Sequence, residues 1–226
     1  MPADRTCVQC LSPLTDVVRS TKLYCSWRCK KQAYRTKKPA ATRPPSRYVF
    51  DLDSLVGEIQ RGETAAFGTV YADPPWRYDN GATRGAAKRH YPTMGVSEIA
   101  ALPVKHLAAD KSLLWLWATV AFENDAKQIM DTWGFTHKST IIWDKGRMGL
   151  GNYVRLQHEV LLVGSRSMQR PTTRKVRSVY QEPKGRHSAK PQMFRELVEK
   201  NSPEPRLELF ARGRYPGWTC FGNEIH

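Results

Sequence analysis

The chain lacks the features that would place it in a membrane or in an oxidising compartment. No apolar run in its 226 residues approaches the roughly 18–20 residues that span a bilayer. The N-terminus, Met1-Pro2-Ala3-Asp4, has no apolar segment resembling a signal peptide. We therefore expect a cytoplasmic protein without a membrane partner, whose thiols stay reduced.

The sequence also lacks the common glycine-rich turns that bind nucleotides. It contains no P-loop and no glycine fingerprint of a conventional nucleotide-cofactor fold, and it has no internal repeat. If the protein binds a nucleotide-like cofactor, it must therefore do so with other residues.

Acidic residues are scarce, and the shortage is greatest at the front of the chain. In total 21 Asp and Glu oppose 36 Lys and Arg, which gives a net charge of +15. Residues 1–47 alone carry eleven Lys or Arg against two Asp. Because this segment has no amphipathic pattern, its charge favours a nucleic-acid partner over a membrane surface.

Cysteine is rare as well, yet four of the five cysteines fall within the first 29 residues. They form a C-x2-C pair and a C-x3-C pair separated by fourteen residues, namely Cys7, Cys10, Cys25 and Cys29. This spacing predicts a structural Zn²⁺ held by four thiolates, with the metal supplying the folding energy of a very small module. Two disulfides are the alternative, which a cytoplasmic location disfavours.

A basic, proline-containing stretch follows the cysteines. Between Arg28 and Arg47 there are eight basic residues and no acidic one, and prolines break any helix past residue 38. We interpret the stretch as a phosphate-contacting arm, with a solvated linker as the alternative. The predicted organisation is therefore a zinc module at 1–35, a basic linker at 36–47 and a catalytic domain at 48–226.

Strand and helix patterns alternate through the rest of the chain. We predict strands at 68–72, 112–117, 136–143, 158–164 and 206–211, and helices at about 97–108 (capped by Ser97), 121–132 and 191–200. This alternation predicts an α/β domain with a mostly parallel sheet.

The tetrapeptide Asp73-Pro74-Pro75-Trp76 is the most informative motif. It follows the first predicted strand, and open α/β sheets place their binding crevices at the carboxyl ends of strands. A carboxylate beside proline-stiffened carbonyls can accept hydrogen bonds from an amino group, and an indole can stack on the ring that carries it. The motif therefore suits the exocyclic amine of an adenine. The alternative is a stiff turn in which Asp73 is a cap and Trp76 belongs to the core.

Two basic loops could contact a nucleic-acid substrate. The first runs from Arg77 to Met94, without a long apolar run, and we predict that it is a mobile loop of the active site, with a disordered surface insertion as the alternative. Its candidate substrate-binding residues are Tyr78, Arg84, Lys88, Arg89, His90 and Tyr91. The second runs from Arg166 to His187 and could grip phosphates, although an exposed loop is an equal alternative.

Taken in order, the motifs resemble those of the DPPW-type adenine-N6 methyltransferases, the MT-A70 family, in its compact bacterial and phage form. The resemblance covers about residues 68–225. Besides the tetrapeptide it rests on His90-Tyr91-Pro92-Thr93-Met94, Leu114-Trp115-Leu116-Trp117, His158-Glu159, His187-Ser188-Ala189-Lys190-Pro191, Glu208-Leu209-Phe210-Ala211-Arg212 and Gly217-Trp218 with Gly222-Asn223-Glu224.

The resemblance implies a Rossmann-like methyltransferase fold that uses S-adenosylmethionine and has a permuted motif order. By this resemblance, Lys190, Arg212, Asn223 and Glu224 would bind the cofactor, with Asp73 near its amine. The segment Gly213-Arg214-Tyr215 departs from the pattern of many eukaryotic members, which carry Asn there. For an upstream acidic contact, Asp51 and Asp53 are the candidates.

The expected reaction is direct methyl transfer to the N6 amine of adenine, with DNA as the leading substrate and RNA as the alternative. Asp73 and the Pro74 carbonyl would accept hydrogen bonds from the amine, while Trp76, together with Tyr78, would stack the base. A non-catalytic zinc-dependent nucleic-acid-binding partner is the competing class. The intact tetrapeptide argues against it.

Overall fold

The described part of the protein is built on one mixed sheet with helices on both faces. The computed structural model describes residues 51–78, 92–149, 151, 153–173, 175–185, 189–223 and 225, which belong to a compact unit spanning Pro45–His226. Its elements in chain order are α1 (Leu52–Gln60), β1 (Phe67–Ala72), α2 (Val96–Ala100), α3 (Val104–Leu107), β2 (Ala108–Ala118), a 3₁₀ turn (Val120–Phe122), α4 (Glu123–Thr132), β3 (Thr136–Asp144), β4 (His158–Arg166), β5 (Val179–Gln181), α5 (Gln192–Asn201), β6 (Arg206–Leu209) and β7 (Trp218–Phe221). None of these helices is long and apolar enough to cross a membrane.

Within the described residues, seven strands pair in the order β5-β3-β4-β2-β1-β6-β7. β1 is parallel to both β2 and β6, β3 to β5, and β6 to β7. β4 runs antiparallel to both of its neighbours, β2 and β3. Six strands therefore point one way, which confirms the predicted mostly parallel α/β sheet. The chain order reverses at β1, and this reversal is the topological switch where such sheets bind ligands.

Successive side chains of the central strands enter two separate cores, as the two-residue repeat of a strand requires. Val70, Leu114 and Leu116 point to one face, which is covered by α1 to α4. Tyr71 and Trp115 point to the other face, where α5 packs. Both faces of β1 and of residues 113–118 in β2 are thus covered, which explains why these stretches are mostly apolar.

The tryptophans of the described residues fill these cores, and none of their indole N–H groups is unpaired. Each of the six in the described residues donates a hydrogen bond, for example Trp117 Nε1 to Tyr71 Oη at 2.7 Å and Trp115 Nε1 to Ser202 Oγ at 2.8 Å. A buried N–H without a partner would cost about 1–3 kcal/mol. These bonds therefore let large aromatic side chains pack around the site without that penalty.

The predicted helix at 97–108 is wrong as a single element. Two short helices occupy the region, because Pro103 interrupts it. Ser97 is not the cap. Gly95 holds that position, and its backbone N–H donates to Glu98 Oε2 at 2.6 Å. The sequence prediction also missed α1 and the two short edge strands β5 and β7.

Candidate active site at the carboxyl edge of the sheet

Several charged residues lie together at one edge of the sheet. Asp73 follows β1 and Lys145 follows β3, and both lie at the edge where the parallel strands end. Glu159 sits at the start of β4, and because β4 runs the opposite way its beginning lies at the same edge. Strand direction thus brings together three ionisable residues that are far apart in sequence.

Asp73 is the member of the tetrapeptide that faces solvent. Its side chain is 24% exposed, whereas Pro74, Pro75 and Trp76 are buried. The Pro74 carbonyl accepts the Trp76 N–H at 3.0 Å, and the Pro75 carbonyl accepts the Met94 N–H at 2.9 Å. Each carbonyl oxygen has two lone pairs, so one acceptor position remains on Pro74 after this local bond.

Trp76 has a packing role in this structure. Its ring stacks on Phe122 with centroids 5.0 Å apart and planes 16° apart, and its Nε1 donates to the Trp117 carbonyl at 3.2 Å. An indole held on these contacts is not an open platform for a base. The placement agrees with the alternative in which Trp76 belongs to the core, and stacking of the adenine by Trp76 stays a prediction.

A chain of alternating charges extends from Asp73 into the sheet edge. Lys190 Nζ lies 2.6 Å from Asp73 Oδ1 and 3.4 Å from Glu159 Oε2. Lys145 Nζ contacts the other oxygen of Glu159 at 3.3 Å. Lys190 also sits 5.1 Å above the centre of the Trp117 ring. The cation is therefore shared between two carboxylates and an aromatic face.

In this chain of charges, burial and neighbouring charges shift the pKa values of Lys190 and Glu159 in opposite directions, and the neighbouring charges have the larger effect. Burial favours the neutral amine of Lys190, but Asp73 and Glu159 outweigh it, so the pKa of Lys190 is raised above 10.5. Burial would likewise raise the pKa of Glu159, but Lys190 and Lys145 lower it below 4.5. At neutral pH Lys190 is a cation and Glu159 an anion. The two carboxylates also explain why Lys190 is tolerated just before the N-terminus of α5, where the helix dipole disfavours a cation.

A second ion pair beside Asp73 was not predicted from sequence. Arg195 on α5 forms a bidentate pair with Glu208 on β6, with one contact at 2.8 Å, and its guanidinium stacks 3.4 Å from the Tyr215 ring centre. Burial raises the pKa of Glu208, and Arg195 offsets part of this effect. The helical spacing of Arg195 gave no signal that it would meet β6.

These groups surround a cavity of about 270 Å³ at the switch point. Its lining combines carboxylates, cations and aromatic rings, namely Tyr71, Asp73, Ala189, Lys190, Pro191, Gln192, Arg195, Glu208, Phe210, Arg212 and Tyr215. Three residues predicted as cofactor contacts, Asp73, Lys190 and Arg212, are thus brought together here. The cavity is suited to a ligand with groups of both charges.

Comparison with known proteins identifies the family. A family model described as MT-A70 matches residues 67–224, well over half of the chain. The chain belongs to the MT-A70 family. The resemblance inferred from the ordered motifs is confirmed.

Individual relatives agree with this assignment. The type II methyltransferase M.MunI of Mycoplasma sp is 30% identical over 78% of this chain and 84% of its own length. A probable N(6)-adenosine-methyltransferase MT-A70-like of Oryza sativa subsp. japonica is 29% identical over 82% of this chain. The human N(6)-adenine-specific methyltransferase METTL4 is 26% identical over 70% of this chain. The match spans 29% and 37% of these last two proteins' own lengths. Membership of this family makes the chain a methyltransferase enzyme.

The carboxyl-terminal motifs of the MT-A70 family shape one wall of the cavity. Phe210 has φ of +65°, in the left-handed region, where a non-glycine residue is strained. Gly222 packs so closely on Ala211 that a Cβ would lie 1.9 Å from the Ala211 carbonyl oxygen. This approach places the chain segments that carry Arg212 and Asn223 side by side.

Several predicted residues fall elsewhere. Asp51 caps α1 by accepting the Ser54 N–H, and Asp53 is exposed on the same helix, so neither lines the cavity. Tyr78 is 40% exposed and rests edge-on against Phe122. Arg166, the first residue of the second basic loop, makes its hydrogen bonds within the fold. It donates to four backbone carbonyls, those of Lys105, Ala108, Trp133 and Gly134.

Other predicted site residues lie outside the described residues and stay predictions. They are the loop residues Arg84, Lys88, Arg89, His90 and Tyr91, the cofactor candidate Glu224, and the zinc ligands Cys7, Cys10, Cys25 and Cys29. The described part of the chain contains no cluster of His, Cys, Asp or Glu that could hold a metal ion. Cys220 is half-buried in β7, and burial raises the pKa of its thiol.

Proposed function

We propose that this chain transfers a methyl group from S-adenosylmethionine to the N6 amine of adenine in DNA. The observation that carries the proposal is the position of Asp73. Its carboxylate lies at the switch point, beside the cavity and in a 2.6 Å ion pair with Lys190. The named N6-adenine activities of the relatives support adenine N6 as the acceptor.

The residues around the cavity suit S-adenosylmethionine. Its carboxylate needs cations, which Lys190 and Arg212 provide, and its ammonium needs an anion, which Asp73 provides. Asn223 and Glu224 are the amide and acid groups that suit ribose hydroxyls. When bound, this cofactor would supply an electrophilic methyl group carried on a sulfonium.

Asp73 would act on the acceptor amine. Its Oδ1 pairs with Lys190, which leaves the second carboxylate oxygen for an N–H of the incoming adenine. Together with the remaining acceptor position on the Pro74 carbonyl, this would direct the nitrogen lone pair toward the methyl group. Lys190 is already protonated, so it cannot serve as a base. Asp73, partly exposed, is the group placed to pass the lost proton to water.

We favour DNA because the match covers very different shares of the relatives' own lengths. The relative matched over 84% of its length is a type II methyltransferase. The rice relative named for adenosine is matched over 29% of its length. In duplex DNA the adenine must leave the helix, which costs a few kcal/mol, and a basic protein surface can offset that cost.

Identification of the methylated nucleoside tests the proposal. The full chain would be incubated with labelled methyl donor and matched single- and double-stranded DNA and RNA, and the products digested. We expect label in N6-methyladenine from DNA. Label that appears in RNA alone would support the alternative substrate, and label in no nucleic acid despite donor binding would support a non-catalytic partner.

A further inference from the structure

Tyr71 brings a buried hydroxyl group to the cavity beside Asp73. The residue lies on β1, two positions before Asp73, and only 4% of it is exposed. It lines the cavity together with Asp73 and Lys190. A tyrosine in this position offers a neutral polar group among residues that are mostly charged.

The hydrogen bonding of the Tyr71 hydroxyl is only half complete. A phenol hydroxyl can accept a hydrogen bond and donate another. Tyr71 Oη accepts from Trp117 Nε1 at 2.7 Å, and an indole N–H can only donate. Among the described residues, no oxygen accepts the hydrogen of the Tyr71 hydroxyl. Buried donors are seldom left without an acceptor, so this hydrogen is available to a ligand in the cavity.

The Tyr71 hydroxyl keeps its hydrogen at neutral pH. Burial raises the pKa of Tyr71 above its ordinary value of 10, and the nearby carboxylates of Asp73 and Glu208 raise it further. The hydrogen bond from Trp117 and the charge of Arg195 lower the pKa, but by less. The group is therefore a hydrogen-bond donor and not a base.

A carboxylate is the ligand group that best suits this donor. A carboxylate carries only acceptor positions, whereas an ammonium group carries only donors. Lys190, a cation suited to the carboxylate of S-adenosylmethionine, lies 5.1 Å above the centre of the Trp117 ring, and the N–H of the same ring is bonded to Tyr71. Trp117 thus contacts both groups. The phenol can add a second contact to a carboxylate there without adding positive charge.

We propose that the Tyr71 hydroxyl donates a hydrogen bond to the carboxylate of S-adenosylmethionine and so binds the amino-acid end of the cofactor together with Lys190. The inference rests on the proposed function, because it takes S-adenosylmethionine as the occupant of the cavity. Trp117 is then a positioning residue. Its N–H occupies the acceptor side of the hydroxyl and leaves the hydrogen for the ligand.

Calorimetry with two probes tests this contact in the full chain. S-adenosylhomocysteine has the carboxylate, and its decarboxylated counterpart lacks the carboxylate and keeps the amine. We expect Tyr71→Phe to weaken binding of S-adenosylhomocysteine about tenfold or more, as for a lost hydrogen bond to a charged group. The affinity of Tyr71→Phe for the decarboxylated probe should equal that of the original chain, because the partner of the hydroxyl is already missing.

Ser202→Ala provides a matched control on the same face of the sheet. Trp115 Nε1 donates to Ser202 Oγ at 2.8 Å, as Trp117 Nε1 donates to Tyr71 Oη. Ser202 is also buried, but it does not line the cavity. Each variant leaves a buried indole N–H without its acceptor, so urea denaturation should show a similar loss of stability in both. Ser202→Ala should nevertheless bind both probes like the original chain.

Three results would overturn the proposal. The first is an unchanged affinity of Tyr71→Phe for S-adenosylhomocysteine. The second is an equal loss of affinity for both probes in Tyr71→Phe, because the hydroxyl would then contact another part of the ligand or only support the fold. The third is an equal loss of S-adenosylhomocysteine affinity in Ser202→Ala, which would assign the effect to a weakened core.

Failure of the proposed reaction would appear separately. A chain that shows the expected pattern of binding and yet methylates no nucleic acid would keep the Tyr71 contact and lose the proposed function. If the original chain binds neither probe, the cavity is not a cofactor site, and both proposals fail.

Discussion

Two ion pairs line the same cavity, and they are built differently. Lys190 with Asp73 and Arg195 with Glu208 are both mostly buried, with side-chain exposures between 8% and 24%. Each joins a cation just before or on α5 to a carboxylate on or after a parallel strand. Similar burial and similar chemistry would suggest similar roles.

The difference lies in how many partners each cation has. Arg195 is committed to Glu208 through two hydrogen bonds and is covered by the Tyr215 ring. Lys190 makes single contacts with Asp73 and Glu159, so it can keep one carboxylate when the other takes a new partner. The Arg195–Glu208 pair is a fixed wall of the cavity. The Lys190–Asp73 pair can release Asp73 to a ligand amine without leaving a buried charge unpaired.

The largest effect should come from breaking the Lys190–Asp73 pair by removing Asp73. We expect Asp73→Ala to lower single-turnover methylation at least a hundredfold, because it removes the acceptor at the reacting nitrogen. Labelled donor and a DNA oligonucleotide would give the rate. Asp53→Ala, on the exposed face of α1, is the matched control and should keep the original rate. A well-folded Asp73→Ala enzyme with a normal rate would refute the assigned role.

Breaking the Arg195–Glu208 pair should instead lower the free energy of unfolding. Arg195→Met leaves the Glu208 carboxylate buried without its cation, so we expect a loss of about 3 kcal/mol in the free energy of unfolding. Urea denaturation would measure it. Adding Glu208→Gln to this variant should recover most of the loss, because the unpaired charge is removed.

An exposed pair serves as the control for this experiment. Arg61 and Glu63 form a similar two-bond pair on the surface, where solvent screens it, and Arg61→Met should change stability little. Equal effects of Arg61→Met and Arg195→Met would remove the distinction between a buried and an exposed pair.

Glu159→Gln tests whether Lys190 needs its second carboxylate. Without Glu159, Lys190 should hold Asp73 more tightly and have a lower pKa, and we expect donor affinity to fall about tenfold in calorimetry. Glu196→Gln, an exposed neighbour on α5, should have no such effect. Unchanged donor affinity in Glu159→Gln would show that Asp73 is released without help.

The same variant has a defined pH signature. Because the folded-state pKa of Glu159 is lowered, its contribution to stability is present above its usual value of 4.5 and is lost as pH falls through the lower folded value. Glu159→Gln should therefore lose less stability than the original chain below about pH 4.5. Identical acid denaturation curves would contradict the charge chain.

The smallest expected effect separates the chemical site from the basic front end. A chain that begins at Tyr48 lacks the four-cysteine pattern and the basic arm, but keeps both ion pairs. We expect it to retain turnover at saturating substrate and to bind nucleic acid more weakly, with a salt slope shallower by about 0.7–0.9 for each lost phosphate contact. Metal analysis should give one zinc per full chain and none per truncated chain. An unchanged slope and affinity would refute the anchoring role.

The residues of the candidate site were largely predictable from the sequence, whereas the contacts between side chains there were not. The buried run before Asp73 and the ordered motifs identified the family and placed Asp73, Lys190 and Arg212 as candidates, and the structure brings these three to one cavity. Arg195 and Tyr215 were missed because each looks like an ordinary surface residue in its own segment. Their role depends on α5 packing against β6, which no local pattern encodes.

Trp76 and Arg166 illustrate the opposite limit. Sequence reasoning predicted that Trp76 stacks the base, with a core position as the alternative. It named Arg166 only as the first residue of a loop that could bind phosphates, with an exposed loop as the alternative. In the fold Trp76 stacks on Phe122, and Arg166 donates to backbone carbonyls of two separate segments, those of Lys105 and Ala108 and that of Trp133. A side chain's chemistry can be read from its residue type, but whether it faces ligand or core depends on the neighbouring elements.

Most of the strand-and-helix alternation, the order of the motifs and the family could be predicted from sequence, because these depend on local apolar periodicity and on short runs of residues. Which charges meet depends on the tertiary structure. The antiparallel direction of β4 places Glu159 at the same edge as Asp73, and there Lys190 bridges the two. Pairing over 117 residues of chain is a consequence of strand order, and strand order is set by packing of the whole sheet.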